Sequence, residues 1–304
     1  MMNWRRPLIV GGLLVVAVLG FLLAEAAAQL YLWQSYEAGT YFYEILFESQ
    51  AWLVPAAIAL GLIFGAVYGT SEKSRQLSEE PPERDGFIQR HAAFGAFLEH
   101  WVATVGMILL VLSGIWLGFL FVPRLAGTTE TVGLALNVHW VGTGLLVFAV
   151  SYHVSALFMG AHRDIVPEVS DFRKAVRDVG HYLGMTDAPE ADKYKPIQKV
   201  SYLAWGALVG IMTITGVLMA LDYVAAVSGS VRAASTFLHE LFALFTILFL
   251  LAHVAITLMP SHWAMLRSQV TGWMPADYVR EKLPRWNVQR RTDGGTESEE
   301  PPNP

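Results

Sequence analysis

The chain has no cysteine, and that one absence excludes disulfides, cysteine-ligated iron–sulfur clusters and covalently attached c-type haem. Any metal chemistry must rest on nine histidines, ten methionines and the carboxylates. Charge is scarce as well: 15% of residues are charged against 54% apolar. One water-soluble core of 304 residues cannot hide that much apolar surface, so lipid is part of the solvent. The basic residues form no run or stripe and the net charge is −5, which argues against nucleic acid as a partner. Short segments of alternating polarity are also missing, which argues against a transmembrane β-barrel.

What the chain does have is long apolar runs. Crossing ~30 Å of hydrocarbon takes ~20 helical residues, and runs of that kind lie near residues 7–29, 51–69, 99–122, 138–160, 198–221 and 237–259. The expected fold is an all-α membrane protein of six transmembrane helices, the last four forming a bundle. Basic residues set the orientation. With the N-terminus inside, every Lys and Arg except Arg124 and Arg232 falls on the inner side. Both termini are therefore expected in the cytoplasm, in a multi-pass protein of the cell (inner) membrane.

The opening MMNWRR and the later LLAEAAAQ have features of a secretory signal. An uncleaved anchor fits better, because Tyr31, Trp33, Tyr36, Tyr41 and Tyr43 follow as an interfacial aromatic belt before the second span. The expected organisation is a transmembrane hairpin over 1–70, a charged cytoplasmic linker with Pro81 and Pro82 over 71–90, a core over 91–286 and a disordered cytoplasmic tail over 287–304. Within the inside loop 161–197, the stretch SDFRKAVRDVGHYLG puts Phe172, Val176, Val179 and Leu183 on one face, with Ser170 as a possible cap. That pattern suits a short helix lying on the membrane surface.

Ionisable groups are costly inside a membrane, so each one is a functional hypothesis. His100, His139, His153, His239 and His253 lie in or at the ends of the last four spans. His139 and His153 are separated by the same interval as His239 and His253. That 14-residue interval comes within ~40° of whole turns and rises ~21 Å. Each helix thus shows two imidazoles on roughly one face, one near each membrane surface, and two such helices can clamp two stacked porphyrins. His139 then faces His239 near the outer surface. Near the inner surface, both His100 and His153 compete for the place opposite His253, and spacing alone does not choose between them.

The stretches FLEHWVATVGMILLVLSGIW, NVHWVGTGLLVF, DKYKPIQKVSYLAWGALVGIMTITGV, FLHELFALFTILFLLAH and WAMLRSQVTGWMPADYVREKLPRW resemble the cytochrome b (gamma) subunit of respiratory formate dehydrogenases. That subunit belongs to a wider family of di-haem membrane cytochromes b that also serves nickel–iron hydrogenases. The resemblance covers roughly residues 91–286. It implies two b haems, an outer one on His139 and His239 and an inner one on His100 and His253, with His153 outside the ligand set. It also implies reduction of a quinone, menaquinone or ubiquinone, near the inner haem beside KYKPIQK. There Gln198 and Lys199 match the family pattern, Lys195 replaces the usual asparagine, and His253 stands close. The implied partners are an iron–sulfur subunit and a catalytic oxidoreductase subunit on the outer face.

The alternatives are a di-haem cytochrome b serving a hydrogenase or another reductase, and a haem-free transporter. An intramembrane metalloprotease is excluded because His239-Glu240 is followed by Ala243 where a second histidine is required. Other residues carry plainer expectations. Gly114, Gly142, Gly144, Gly206, Gly210 and Gly216 are expected to serve packing more than haem contact. Glu99 and Glu240, each beside a proposed ligand, are candidates for orienting an imidazole or moving protons. His91, His262, His162 and His181 are expected to be solvated or to touch headgroups.

Overall fold

The computed structural model describes residues 52–78, 83–91, 93–224 and 227–286. The first expected span, the aromatic stretch after it and the tail from residue 287 lie outside the described residues. The protein is an all-α membrane protein, and among the described residues five helices are long and apolar enough to cross a membrane. They are α1 (Leu53–Ser78), α2 (Ala93–Leu117), α3 (Thr129–Met159), α5 (Pro196–Val224) and α6 (Gly229–Thr257). Between α3 and α5 lies the short α4 (Val169–Tyr182), and after α6 come α7 (Trp263–Thr271) and α8 (Ala276–Lys282).

Local chemistry explains the ends. The α2 helix stops where Gly118 and Leu120 turn left-handed, at φ 81° and 45°, and the Leu120 N–H donates to Glu240 at 3.0 Å. Thr128 caps α3 by accepting from the Thr131 N–H, and Gly160 ends that helix at φ 107°. Pro196 opens α5, where its missing N–H costs nothing. The Gln198 Oε1 accepts the Lys195 N–H at 2.9 Å, and Asp178 of α4 accepts the Ile197 N–H at 3.1 Å.

In the bundle, α3 packs closely on both α1 and α2, and α5 packs on α6, while few contacts join these two groups. Glycines seat α1 on α3. A Cβ at Gly61, Gly65 or Gly69 would run into the backbone of Phe148, Tyr152 or Ala156, one helical turn apart each time. This is the small-residue spacing that lets two membrane helices touch along their backbones.

The described parts of the stretch read as a linker, 71–78 and 83–90, are built into the fold, while Pro81 and Pro82 lie outside the described residues. The α1 helix continues to Ser78, and β1 (Glu83–Arg84) and β2 (Phe87–Gln89) form a hairpin across Asp85 and Gly86, both at positive φ. β2 also pairs with β3 (Trp273–Pro275). Behind the sheet, Ile88, Met265, Met274, Val279 and Leu283 make a small core of their own. Arg90 is buried beside it, donating to Ser268 Oγ at 3.2 Å and to the Lys193 carbonyl at 3.3 Å.

The α4 helix is capped one residue upstream of its first turn. The Glu168 N–H donates to Asp171 at 2.9 Å, so Ser170 is not the cap. Its polar residues Asp171 and Asp178 are buried, whereas Phe172, Val176, Val179 and Leu183 are exposed.

Candidate functional site

The α3 and α6 helices run in the same direction, and a histidine of one faces a histidine of the other. The His139 and His239 rings lie 6.3 Å apart, centre to centre, tilted by 57°. A hydroxyl on a neighbouring helix holds each of them. Ser113 Oγ of α2 lies 2.9 Å from His139 Nδ1 and donates to the Leu109 carbonyl at 2.6 Å. Thr215 Oγ1 of α5 lies 2.9 Å from His239 Nδ1 and donates to the Ile211 carbonyl at 2.8 Å. With each hydroxyl proton directed at a carbonyl, the oxygen accepts from Nδ1–H. The Nε2 atoms then carry the lone pairs.

Metal–imidazole bonds are about 2 Å long and the ring centre lies about 1.1 Å behind the nitrogen, so two imidazoles sharing one metal stand roughly 6 Å apart. The 6.3 Å separation and the shared tautomer both fit a bis-histidine haem. Gly216 lies beside this pair, its Cβ position 3.4 Å from the His239 ring, whereas nothing stands within 4 Å of that position at Gly114, Gly206 and Gly210. Gly142 packs against Gly106, and Gly144 against Leu53.

At the other end of the bundle, His100 Nδ1 faces Thr104 Oγ1 at 3.3 Å, and that hydroxyl donates to the His100 carbonyl. His253 stands nearly edge-on to Trp205, 6.3 Å away at 84°, and within electrostatic reach of His100. His153 belongs to a different group. Its Nδ1 meets Glu99 at 2.6 Å and its Nε2 meets the Tyr202 hydroxyl at 2.8 Å. Glu99 therefore engages a histidine on another helix rather than orienting its neighbour His100. Glu240 fixes the turn after α2 and has no bond to an imidazole among those described.

The residues expected near quinone sit at the His100 end. Lys199 is buried and pairs with Asp171 at 3.4 Å, tying α5 to α4. Gln198 caps α5 and points its amide at Met265 Sδ, 3.2 Å away. The Lys195 amine reaches the Tyr182 hydroxyl at 3.4 Å, and that hydroxyl lies 3.0 Å from His262 Nε2. Burial lowers Lys195 from its ordinary value, pushes Tyr182 up to about 12 and lowers His262.

Of the histidines expected to be solvated, His91 and His262 are buried and His162 is half-buried. The His91 ring lies 6.3 Å from that of Tyr194, His262 meets the Tyr182 hydroxyl, and His162 lies against α1, its ring 5.6 Å from that of Tyr68. Burial holds all three imidazoles below their ordinary value. His181 is exposed, as expected. Sequence reasoning missed Ser113, Thr215 and Thr104. The one signal for them was a hydroxyl residue at histidine depth on a bundle helix.

Residues 93–272 match the family model described as prokaryotic cytochrome b561. The match covers more than half of the chain and includes all five bundle histidines, while α1 lies outside it. A search of the curated proteins found no match.

Proposed function

The chain belongs to the prokaryotic cytochrome b561 family, whose members are membrane cytochromes that carry electrons on haem b, and we propose that this one binds two haems and exchanges electrons with quinone. His139 and His239 hold the haem near one surface, and His100 and His253 hold the other. His153, tied to Glu99 and Tyr202, is left to another role. Each haem, when bound, supplies a one-electron carrier. The chain's own part is to fix the imidazoles, keep water out and hold both centres at set depths.

The observation that carries this reading is the facing His139 and His239 pair with both Nδ1 atoms held by hydroxyls. A hydroxyl acceptor behind a ligating imidazole sets its orientation and raises its basicity. Quinone reduction is assigned to the His100 end, taken as the cytoplasmic side. There Lys195, Tyr182 and His262 form a partly buried hydrogen-bonded chain beside Gln198, a suitable route for the protons a reduced quinone needs. The donor is proposed to be an iron–sulfur subunit with a catalytic subunit at the other surface, arranged as in formate dehydrogenases. A hydrogenase or another reductase suits the same bundle, and the subunits that co-purify decide between them.

The test is a dithionite-reduced minus oxidised spectrum of the purified chain with pyridine haemochrome quantitation. Wild type is expected to carry two b haems. His239→Ala and His100→Ala are each expected to lose one, and His153→Ala to keep both. A wild-type chain without haem overturns the reading, and loss of a haem in His153→Ala moves the inner ligand.

A further inference from the structure

Beside the inner pair of histidines lies a cluster that the electron-carrying role does not use. Glu99 of α2, His153 of α3 and His162 of the turn after α3 bring their ligand atoms within 4.8 Å of one another. The His153 and His162 rings stack 5.6 Å apart at 19°. Glu99 Oε2 and His162 Nε2 face each other at 3.6 Å, too far for a hydrogen bond. Both atoms are buried, and neither has a hydrogen-bond partner. Leaving two such atoms unpartnered is costly.

A coordinated ion would remove that cost. Zinc bonds to nitrogen and carboxylate oxygen run about 2.0–2.2 Å, and the tetrahedral angle then sets ligand atoms roughly 3.3–3.6 Å apart. The Glu99–His162 separation of 3.6 Å is such an edge. His153 completes the set through Nδ1, while its Nε2 stays hydrogen-bonded to Tyr202, 2.8 Å away. A ligating histidine whose second nitrogen is fixed by another side chain is the usual arrangement in metal sites.

We propose that Glu99, His153 and His162 form a binding site for a divalent transition-metal ion, zinc foremost, distinct from both haems. Binding displaces the proton that now joins His153 Nδ1 to Glu99 and releases it to solvent. Two imidazoles and one carboxylate leave the fourth position to water, the pattern of an open zinc site.

The walls of the site come partly from outside the family match. Tyr68 of α1 packs against His162, with its ring centre 5.6 Å away. Glu72 of α1 is buried within electrostatic reach of His162 and adds negative charge that favours a cation. Nearby Lys193 has its charge balanced by Asp164 at 3.6 Å. The helix that lies outside the family match thus helps to close a site on the haem bundle.

The test uses untagged full-length protein in detergent, stripped with chelator, reloaded with zinc and desalted. Zinc is counted by mass spectrometry and haem is measured on the same sample. The expected result is about one zinc per chain in wild type, with X-ray absorption at the zinc edge showing two imidazoles. His162→Ala and Glu99→Gln should lose that zinc, and His162→Ala should keep its haem. No retained zinc in wild type overturns the proposal, as does zinc that persists in His162→Ala. A variant that loses haem as well has not folded, and His162→Gln then takes its place under the same two criteria.

Discussion

At the residue scale, the second nitrogen of each imidazole decides what the ring can do. Ser113 and Thr215 hold His139 and His239 by Nδ1, so Ser113→Ala and Thr215→Ala are expected to keep the haem while making its ligand less basic. A less basic ligand stabilises the oxidised iron less, so redox titration should show the midpoint of one haem rising and the other unchanged. An unchanged midpoint in both variants would rule out the hydroxyls as tuning groups. The histidine spacing was legible in the sequence because it repeats on two spans. The hydroxyls were not, because Ser and Thr are common in membrane helices and nothing local sets these two apart. The partner of Glu99 was equally hidden. Its neighbour in the chain is His100, yet in the fold it meets His153.

At the element scale, the α1–α3 contact depends on an absence of side chains. Gly65→Ala would drive a Cβ into the Tyr152 backbone, and backbone cannot swing aside as a flexible side chain can. Overpacking of this kind costs about 1–3 kcal/mol, and a lower thermal midpoint in detergent at constant haem content is the expected outcome. The helices themselves were legible from their apolar length, although the structure starts α3 at Thr129 and α6 at Gly229, well before the apolar runs begin. Capping explains the difference. Thr128 and Ser228 accept backbone N–H groups and start each helix in its polar flank. The α4 helix shows the converse. Its amphipathic pattern was legible, but that the buried face is the polar one, holding Lys199 and the α5 N-terminus, depended on contacts far along the chain.

At the scale of the whole molecule, the cap built from β1, β2, β3, α7 and α8 is the part the sequence concealed. Its strands are two or three residues long, too short for any periodicity to register. His91, two residues past β2, is expected to make the protein sensitive to acid. Burial holds His91 well below its ordinary value, with Arg90 and Lys193 adding to the effect. An unfolded chain takes up that proton as pH falls through about 6.5, while the folded one does not. Stability present above that pH is therefore lost below it, with His162 and His262 acting in the same sense. Thermal midpoints measured from about pH 8 down to pH 5 should fall, and His91→Gln should flatten the fall. The same cap imposes an order on synthesis. Its first two strands are made before any bundle histidine, and its third only after the last of them. A lone two-stranded hairpin is marginal in water. A nascent chain therefore leaves Arg90, buried in the finished fold, open to trypsin until β3 arrives, and resistance to cutting there marks a chain that has completed all its crossings.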